Sequence, residues 1–144
     1  MKRNSKLSLA LHALGHMAAD PERSRTSVEI AAHNETHPGF VRRVLGLLRQ
    51  AGLVASEKGH AGGWRLARPA DAITLADVYV ALGERFLRAE PAGEDNPITC
   101  EVERALRGEV EIALDRAEAT LVMELERTTI ATLARRNATI EPVQ

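Results

Sequence analysis

The stretch Thr26-Ser27-Val28-Glu29-Ile30-Ala31-Ala32-His33-Asn34-Glu35-Thr36-His37-Pro38-Gly39-Phe40-Val41-Arg42-Arg43-Val44-Leu45-Gly46-Leu47-Leu48-Arg49-Gln50-Ala51-Gly52 decides the fold. Thr26 followed three residues later by Glu29 reads as a capping box, so a short helix starts here with Val28, Ile30 and Ala31 as its apolar positions. Asn34-Glu35-Thr36 has turn chemistry, and Pro38 suits the first turn of a second helix, where a missing amide hydrogen costs nothing. Phe40, Val44, Leu47 and Leu48 fall on one side of that helix; Arg42, Arg43, Gly46, Arg49 and Gln50 fall on the other. Gly52 is the expected stop.

Working outward, Leu53-Val54-Ala55-Ser56 and Trp64-Arg65-Leu66-Ala67 are strand-like runs around a glycine-rich tip holding Lys58, Gly59, His60, Gly62 and Gly63, which predicts a β-hairpin. On the N-terminal side, Leu7, Ala10, Leu11, Leu14, Met17 and Ala18 recur at helical spacing up to Asp20-Pro21. Thr74 caps a further helix carrying Leu75, Val78, Tyr79 and Leu82. Residues 90–97 are rich in turn formers, Cys100 to Arg107 reads as a short helix stopped by Gly108, and Val110, Leu114, Ala117, Leu121 and Leu125 step at near-heptad spacing. A break at Thr128 or Thr129 precedes a last short helix with Ile130 and Leu133. The order predicts a mainly α chain: a winged helix-turn-helix over residues 1–84 with a small β-hairpin wing, a linker over 85–99, and a helical dimerisation arm over 100–144.

Composition bounds the function. Of the 144 residues 44% are hydrophobic but only 3% aromatic, so the core is built of aliphatic side chains, which favours helices. The net charge of −1 conceals a split: residues 1–68 carry +6 and residues 69–144 carry −7. A basic half is drawn to a polyanion and an acidic half is repelled by it. No run approaches the ~20 apolar residues of a membrane span, the basic start lacks a signal-peptide apolar block, and the expected location is cytoplasmic. There is no glycine-rich phosphate loop after a strand and no evident nucleophile–base pair, so the chain is not expected to be an enzyme.

In a helix-turn-helix the second helix enters the major groove and sets its N-terminal side chains against base edges. Here these are Thr36, His37, Gly39, Arg42 and Arg43. Arginine donates a pair of hydrogen bonds to guanine O6 and N7, and histidine can donate to a purine or a phosphate. Thr26 and Ser27, at a helix start, offer amides and hydroxyls to a phosphate, and Lys6, Lys58 and Arg65 are further phosphate candidates. His60 stands at the wing tip, where flanking glycines allow close approach to a minor groove.

The linked set Phe40-Val41-Arg42-Arg43-Val44-Leu45, Leu48-Arg49-Gln50-Ala51-Gly52-Leu53-Val54, Gly62-Gly63-Trp64-Arg65-Leu66-Ala67-Arg68-Pro69 and Ile73-Thr74-Leu75-Ala76-Asp77-Val78 resembles the Rrf-two family of bacterial transcription regulators. The likeness runs from Asn4-Ser5-Lys6 to about Leu82, and more loosely through the long helix. It implies a homodimer whose long helices cross, each recognition helix reading half of a near-palindromic operator in double-stranded DNA, with repression as the expected mode and an effector that is not identified. It also implies that the wing residue at His60 probes the minor groove, where arginine is more usual in the family.

Several members of that family sense through a cluster held by three cysteines ahead of the long helix. Here Cys100 stands alone, so no iron–sulfur cluster or other cofactor is expected, and no disulfide within the chain is possible. Cys100 sits near a helix start, which favours its thiolate, while Glu101 and Glu103 oppose this; it is the candidate for a thiol-based redox sensor. His12 and His16 have a spacing that can bind zinc, but no third ligand is evident along the sequence, and His33 and His37 repeat the spacing only across a turn; no metal site is expected. An interaction module that keeps the winged-helix shape without binding DNA stays open as the alternative to a regulator.

Overall fold

The computed structural model describes residues 5–58, 63–87 and 100–140. Helix α1 spans Lys6–Ala19, α2 Ser27–His33 and α3 Pro38–Gln50; strands β1 (Val54–Ser56) and β2 (Trp64–Leu66) follow, then a 3-10 turn at Ala70–Ala72, α4 (Leu75–Leu82), α5 (Glu101–Leu125) and α6 (Ile130–Ile140). The strands pair antiparallel with Val54 opposite Leu66 and Ser56 opposite Trp64. This is the winged helix-turn-helix arrangement. The wing tip with His60, and most of the expected linker at 85–99, lie outside the described residues.

Helix starts follow the capping chemistry of the sequence. Ser5 accepts from the Ser8 N–H at 3.1 Å to open α1. Thr26 and Glu29 form both bonds of a capping box on α2, and Thr74 and Asp77 do the same on α4. Each such cap is worth about 1 kcal/mol. Glu35, in the turn between α2 and α3, adopts φ 53°, a left-handed conformation that a non-glycine residue holds only at some cost.

The core joins α1, α3, α4 and the base of the wing. Leu14, Met17, Val41, Val44, Leu45, Leu48, Leu53, Ile73, Val78 and Ile130 are fully buried in it, and each large aliphatic side chain contributes roughly 1.5–3 kcal/mol by leaving water. The buried stripe of α3 is Val41, Val44, Leu45 and Leu48, whereas Phe40 and Leu47 of the expected stripe are only half-buried. The difference is a rotation of about one residue about the helix axis. It arises because α3 is packed by α2, α4, α1 and β1 together, so the middle of its apolar face is set by all four. Val28, read as an apolar position of α2, is 64% exposed, because a helix this short turns only Ile30 and Ala31 fully inward.

Gly108 does not stop a helix. α5 runs through it without a break, since no neighbour exploits the missing side chain and an interior glycine costs only about 1 kcal/mol. After α5 the chain turns at Thr128-Thr129, where Thr129 caps α6 by accepting from the Thr132 N–H at 3.2 Å. This turn docks on the segment before α4: the Leu75 N–H donates to Thr128 O and the Ile130 N–H to Ile73 O, both at 2.9 Å. α6 then lies against α1. Ile130 therefore shares a core with α1 and α3, and the C-terminal part of the expected arm is built into the same body as the winged helix.

Candidate nucleic-acid interface

The candidate interface is built on α3. His37 is its N-cap: the ring Nδ1 accepts from the Phe40 N–H at 3.3 Å. A nitrogen that accepts cannot carry the proton, so in the neutral ring the hydrogen sits on Nε2, which is left as a donor. A Cβ at Gly39 would meet His37 Nδ1 at 3.4 Å, an ordinary contact, so the ring does not depend on the missing side chain. Arg42 and Arg43 are exposed one turn further on, and the Arg43 guanidinium lies 6.0 Å from the centre of the Phe40 ring. Between Glu35 and Glu57 there is no carboxylate in the sequence, and among the described residues Arg42, Arg43 and Arg49 enter no ion pair. Thr36 stands half-buried at the turn just before the helix, its N–H donating to Ala31 O.

The wing is tied to α2 and α3 by contacts centred on Trp64. Its Nε1–H donates to Ser27 Oγ at 2.9 Å. Its backbone exchanges two hydrogen bonds with Arg25, at 3.1 and 2.8 Å, so the segment before α2 adds a strand-like bridge to the hairpin. Gly63 permits this approach, because a Cβ there would stand 2.6 Å from Arg25 O. Arg49 donates to Ser56 Oγ at 3.2 Å, with its guanidinium 6.0 Å from the centre of a Trp64 ring. The Trp64 and Arg25 roles were not legible along the chain; the adjoining Gly63 was the one local sign of a close backbone approach.

The remaining candidates divide by what already engages them. Thr26 is occupied by its capping box and Ser27 accepts from Trp64, though the Ser27 hydroxyl keeps its own hydrogen to donate. Arg65 is held by Glu57 at 3.2 Å and donates to Glu22 O at 2.6 Å, so it braces the wing base. Lys6 faces Glu84 at 3.9 Å. Lys58 is exposed. Of the near-heptad seam, Leu121 and Leu125 pack partly on the chain's own core, Leu114 is half-buried, and Val110 and Ala117 are exposed. The exposed apolar side chains of α5 are Val102, Leu106, Val110, Ile112 and Met123.

Comparison with known proteins places this geometry. Residues 3–136 match the Rrf2 family, described as iron-dependent transcriptional regulators. The chain belongs to the Rrf2 family. It is 37% identical to protein aau3 of Rhizobium meliloti over 112 residues, covering 74% of this chain and 73% of that protein. It is 35% identical over 107 residues to the HTH-type transcriptional regulator YwnA of Bacillus subtilis, covering 72% and 77% respectively. The solved structure of CymR, the global cysteine regulator of B. subtilis, is similar with a TM-score of 0.66 at 25% identity, over 94% of this chain and 98% of that one. Members of the Rrf2 family are transcriptional regulators, and no helix among the described residues is long and apolar enough to cross a membrane.

The family description names iron, and the donor set here does not fit a cysteine-held cluster. Cys100 is the single cysteine of the chain, exposed at the N-cap of α5, and among the described residues it joins no group of three potential ligands. The N–H groups of Glu103 and Val102 in the first turn of α5 hold its thiol below the ordinary range. An iron–sulfur cluster needs four ligands, chiefly thiolates.

Proposed function

We propose that this Rrf2 member binds a near-palindromic operator as a homodimer and represses transcription from it, without a cysteine-held cluster. One observation carries the reading: the outer face of α3 presents Arg42 and Arg43 in the open, with the capping His37 at its start and no carboxylate in the sequence between Glu35 and Glu57. That is the equipment for reading guanine-containing base pairs from a major groove. The acidic α5 then belongs on the side away from the DNA, and its exposed Val102, Leu106 and Val110, one turn apart, are the surface offered to a second copy.

The test is a gel shift on the promoter of the chain's own gene at two salt concentrations, with wild type, Arg42→Ala and Lys58→Ala. Specific binding is expected, with affinity falling steeply as salt rises. Arg42→Ala should cost about 1–3 kcal/mol and relax preference at one base pair. Lys58→Ala should weaken all sequences alike and lower the salt slope by about one. No binding by the folded protein would favour the interaction-module reading, and binding that ignores sequence would overturn operator recognition by α3. A second reading rests on the exposed, thiolate-favouring Cys100: diamide should weaken operator binding of wild type but not of Cys100→Ser.

A further inference from the structure

Three histidines converge on α1 and α2, and none belongs to the candidate interface. His12 and His16 lie one turn apart on α1, and His33 is the last residue of α2. Their ring centres stand 5.0 Å (His12–His16), 5.4 Å (His12–His33) and 4.4 Å (His16–His33) apart. One ring nitrogen from each falls within 4.8 Å of the other two. Among the described residues these rings touch one another but enter no hydrogen bond or ion pair, so no structural duty accounts for their nitrogens. The three rings come from two helices, so their convergence is made by the fold and not by one helical repeat. Neutral imidazole is the form that binds metal.

We infer that His12, His16 and His33 form a binding site for one divalent transition-metal ion of the zinc type, with at least one coordination position open to water or an exogenous ligand. All-imidazole ligation selects zinc, cobalt, nickel, copper or iron over magnesium and calcium, which need oxygen ligands. Tetrahedral ligation with metal–nitrogen bonds of about 2.0 Å places the nitrogens about 3.3 Å apart, so rotation of the two exposed rings, His12 and His33, must close a gap of at most about 1.5 Å. The cluster opens on a groove of about 280 Å³ whose wall includes Ala13, Ile30 and Asn34, which leaves space for the fourth ligand. The Arg25 guanidinium, donating to His16 O, faces the site and opposes a cation, and the Glu29 carboxylate on the same groove is already paired with Arg23 at 3.4 Å, so it offsets little of that charge. This balance favours ions that form strong nitrogen bonds over those held by charge alone. A bound ion would clamp the end of α2 to α1 immediately before the turn that leads to His37 and α3.

The test titrates untagged, chelator-treated full-length protein with cobalt(II), following its visible absorption, and then adds zinc(II). One cobalt per chain is expected, with bands of a nitrogen- and oxygen-ligated ion that vanish when zinc is added. His33→Ala and His12→Gln should each weaken binding at least tenfold while keeping the wild-type circular dichroism. Cys100→Ser should leave the spectrum unchanged. Cobalt binding equally strong in both histidine variants, a spectrum that requires thiolate ligation, or magnesium displacing cobalt as readily as zinc would overturn the site. So would a titration with no saturable binding.

Discussion

Gly63 shows how much of the wing depends on one missing side chain. It lies beside Arg25, where a Cβ would come 2.6 Å from a backbone oxygen, and backbone cannot swing aside as a side chain can. Gly63→Ala should therefore push β2 off the Arg25 bridge and lower stability by about 1–3 kcal/mol, read as a reduced urea midpoint. The Trp64–Ser27 hydrogen bond should loosen with it, visible as a red shift in the fluorescence of the single tryptophan. Cys100 yields a second prediction at this scale. Because first-turn N–H groups favour the thiolate, its charged, nucleophilic form persists to lower pH than in an ordinary thiol. Alkylation by iodoacetamide should reach half its maximal rate at a lower pH than for a cysteine in an unfolded peptide, and the two curves should merge when the protein is unfolded in urea. Both positions could be flagged from sequence, the one as a turn glycine and the other as a residue at a helix start. His37 could be flagged only as a DNA contact, because the capping bond that orients its ring depends on a backbone geometry that spacing does not reveal.

Among the elements, α4 and α5 are joined by a buried polar contact that periodicity did not suggest. The Tyr79 hydroxyl donates to the buried Glu118 carboxylate and accepts from the Phe86 N–H at 2.8 Å, and Arg85 reaches both Asp115 and Glu118. Burial, then the bond to Glu118, raises the Tyr79 pKa, so the hydroxyl keeps its proton as donor. Tyr79→Phe removes that donor while leaving Glu118 in place, and should cost about 1–3 kcal/mol. In thermal unfolding the loss should be smaller for the double variant Tyr79→Phe, Glu118→Leu than for the sum of the single changes. The same packing explains why the near-heptad seam is divided. Leu121 and Leu125 turn toward α4 and the core, while Val102, Leu106 and Val110 lie beyond reach of the chain's own core. A heptad pattern states that a stripe is apolar; it does not state whether the stripe meets another chain or its own.

For the whole molecule, the +6 and −7 halves correspond to the winged helix and the region dominated by acidic α5. DNA association through the first half should be opposed by the second, so affinity should depend steeply on salt and on how far α5 is held from the phosphates. Leu106→Asp places a charge on the exposed apolar face of α5 without touching the core. It is expected to shift a dimer toward monomer in light scattering, to leave helical circular dichroism intact, and to weaken operator binding much more than binding to a half-site. Unchanged mass and unchanged operator affinity would place the contact between copies elsewhere on the molecule.

By itself the sequence determined the order of the helices apart from the false stop at Gly108, the capping boxes of α2 and α4, the two-stranded wing, the basic face of α3 and the presence of a single cysteine. These depend on local physics: periodicity, capping hydrogen bonds, turn residues and the count of one residue type. The tertiary structure alone decided which side of each stripe is buried, that Arg65 braces the wing against Glu57 and Glu22, that α6 returns to α1, and that His33 completes a cluster with His12 and His16. Seventeen positions separate His16 from His33, and no helical period relates them. Only the tertiary fold, which sets the end of α2 beside His12 and His16 of α1, brings the third imidazole to the other two.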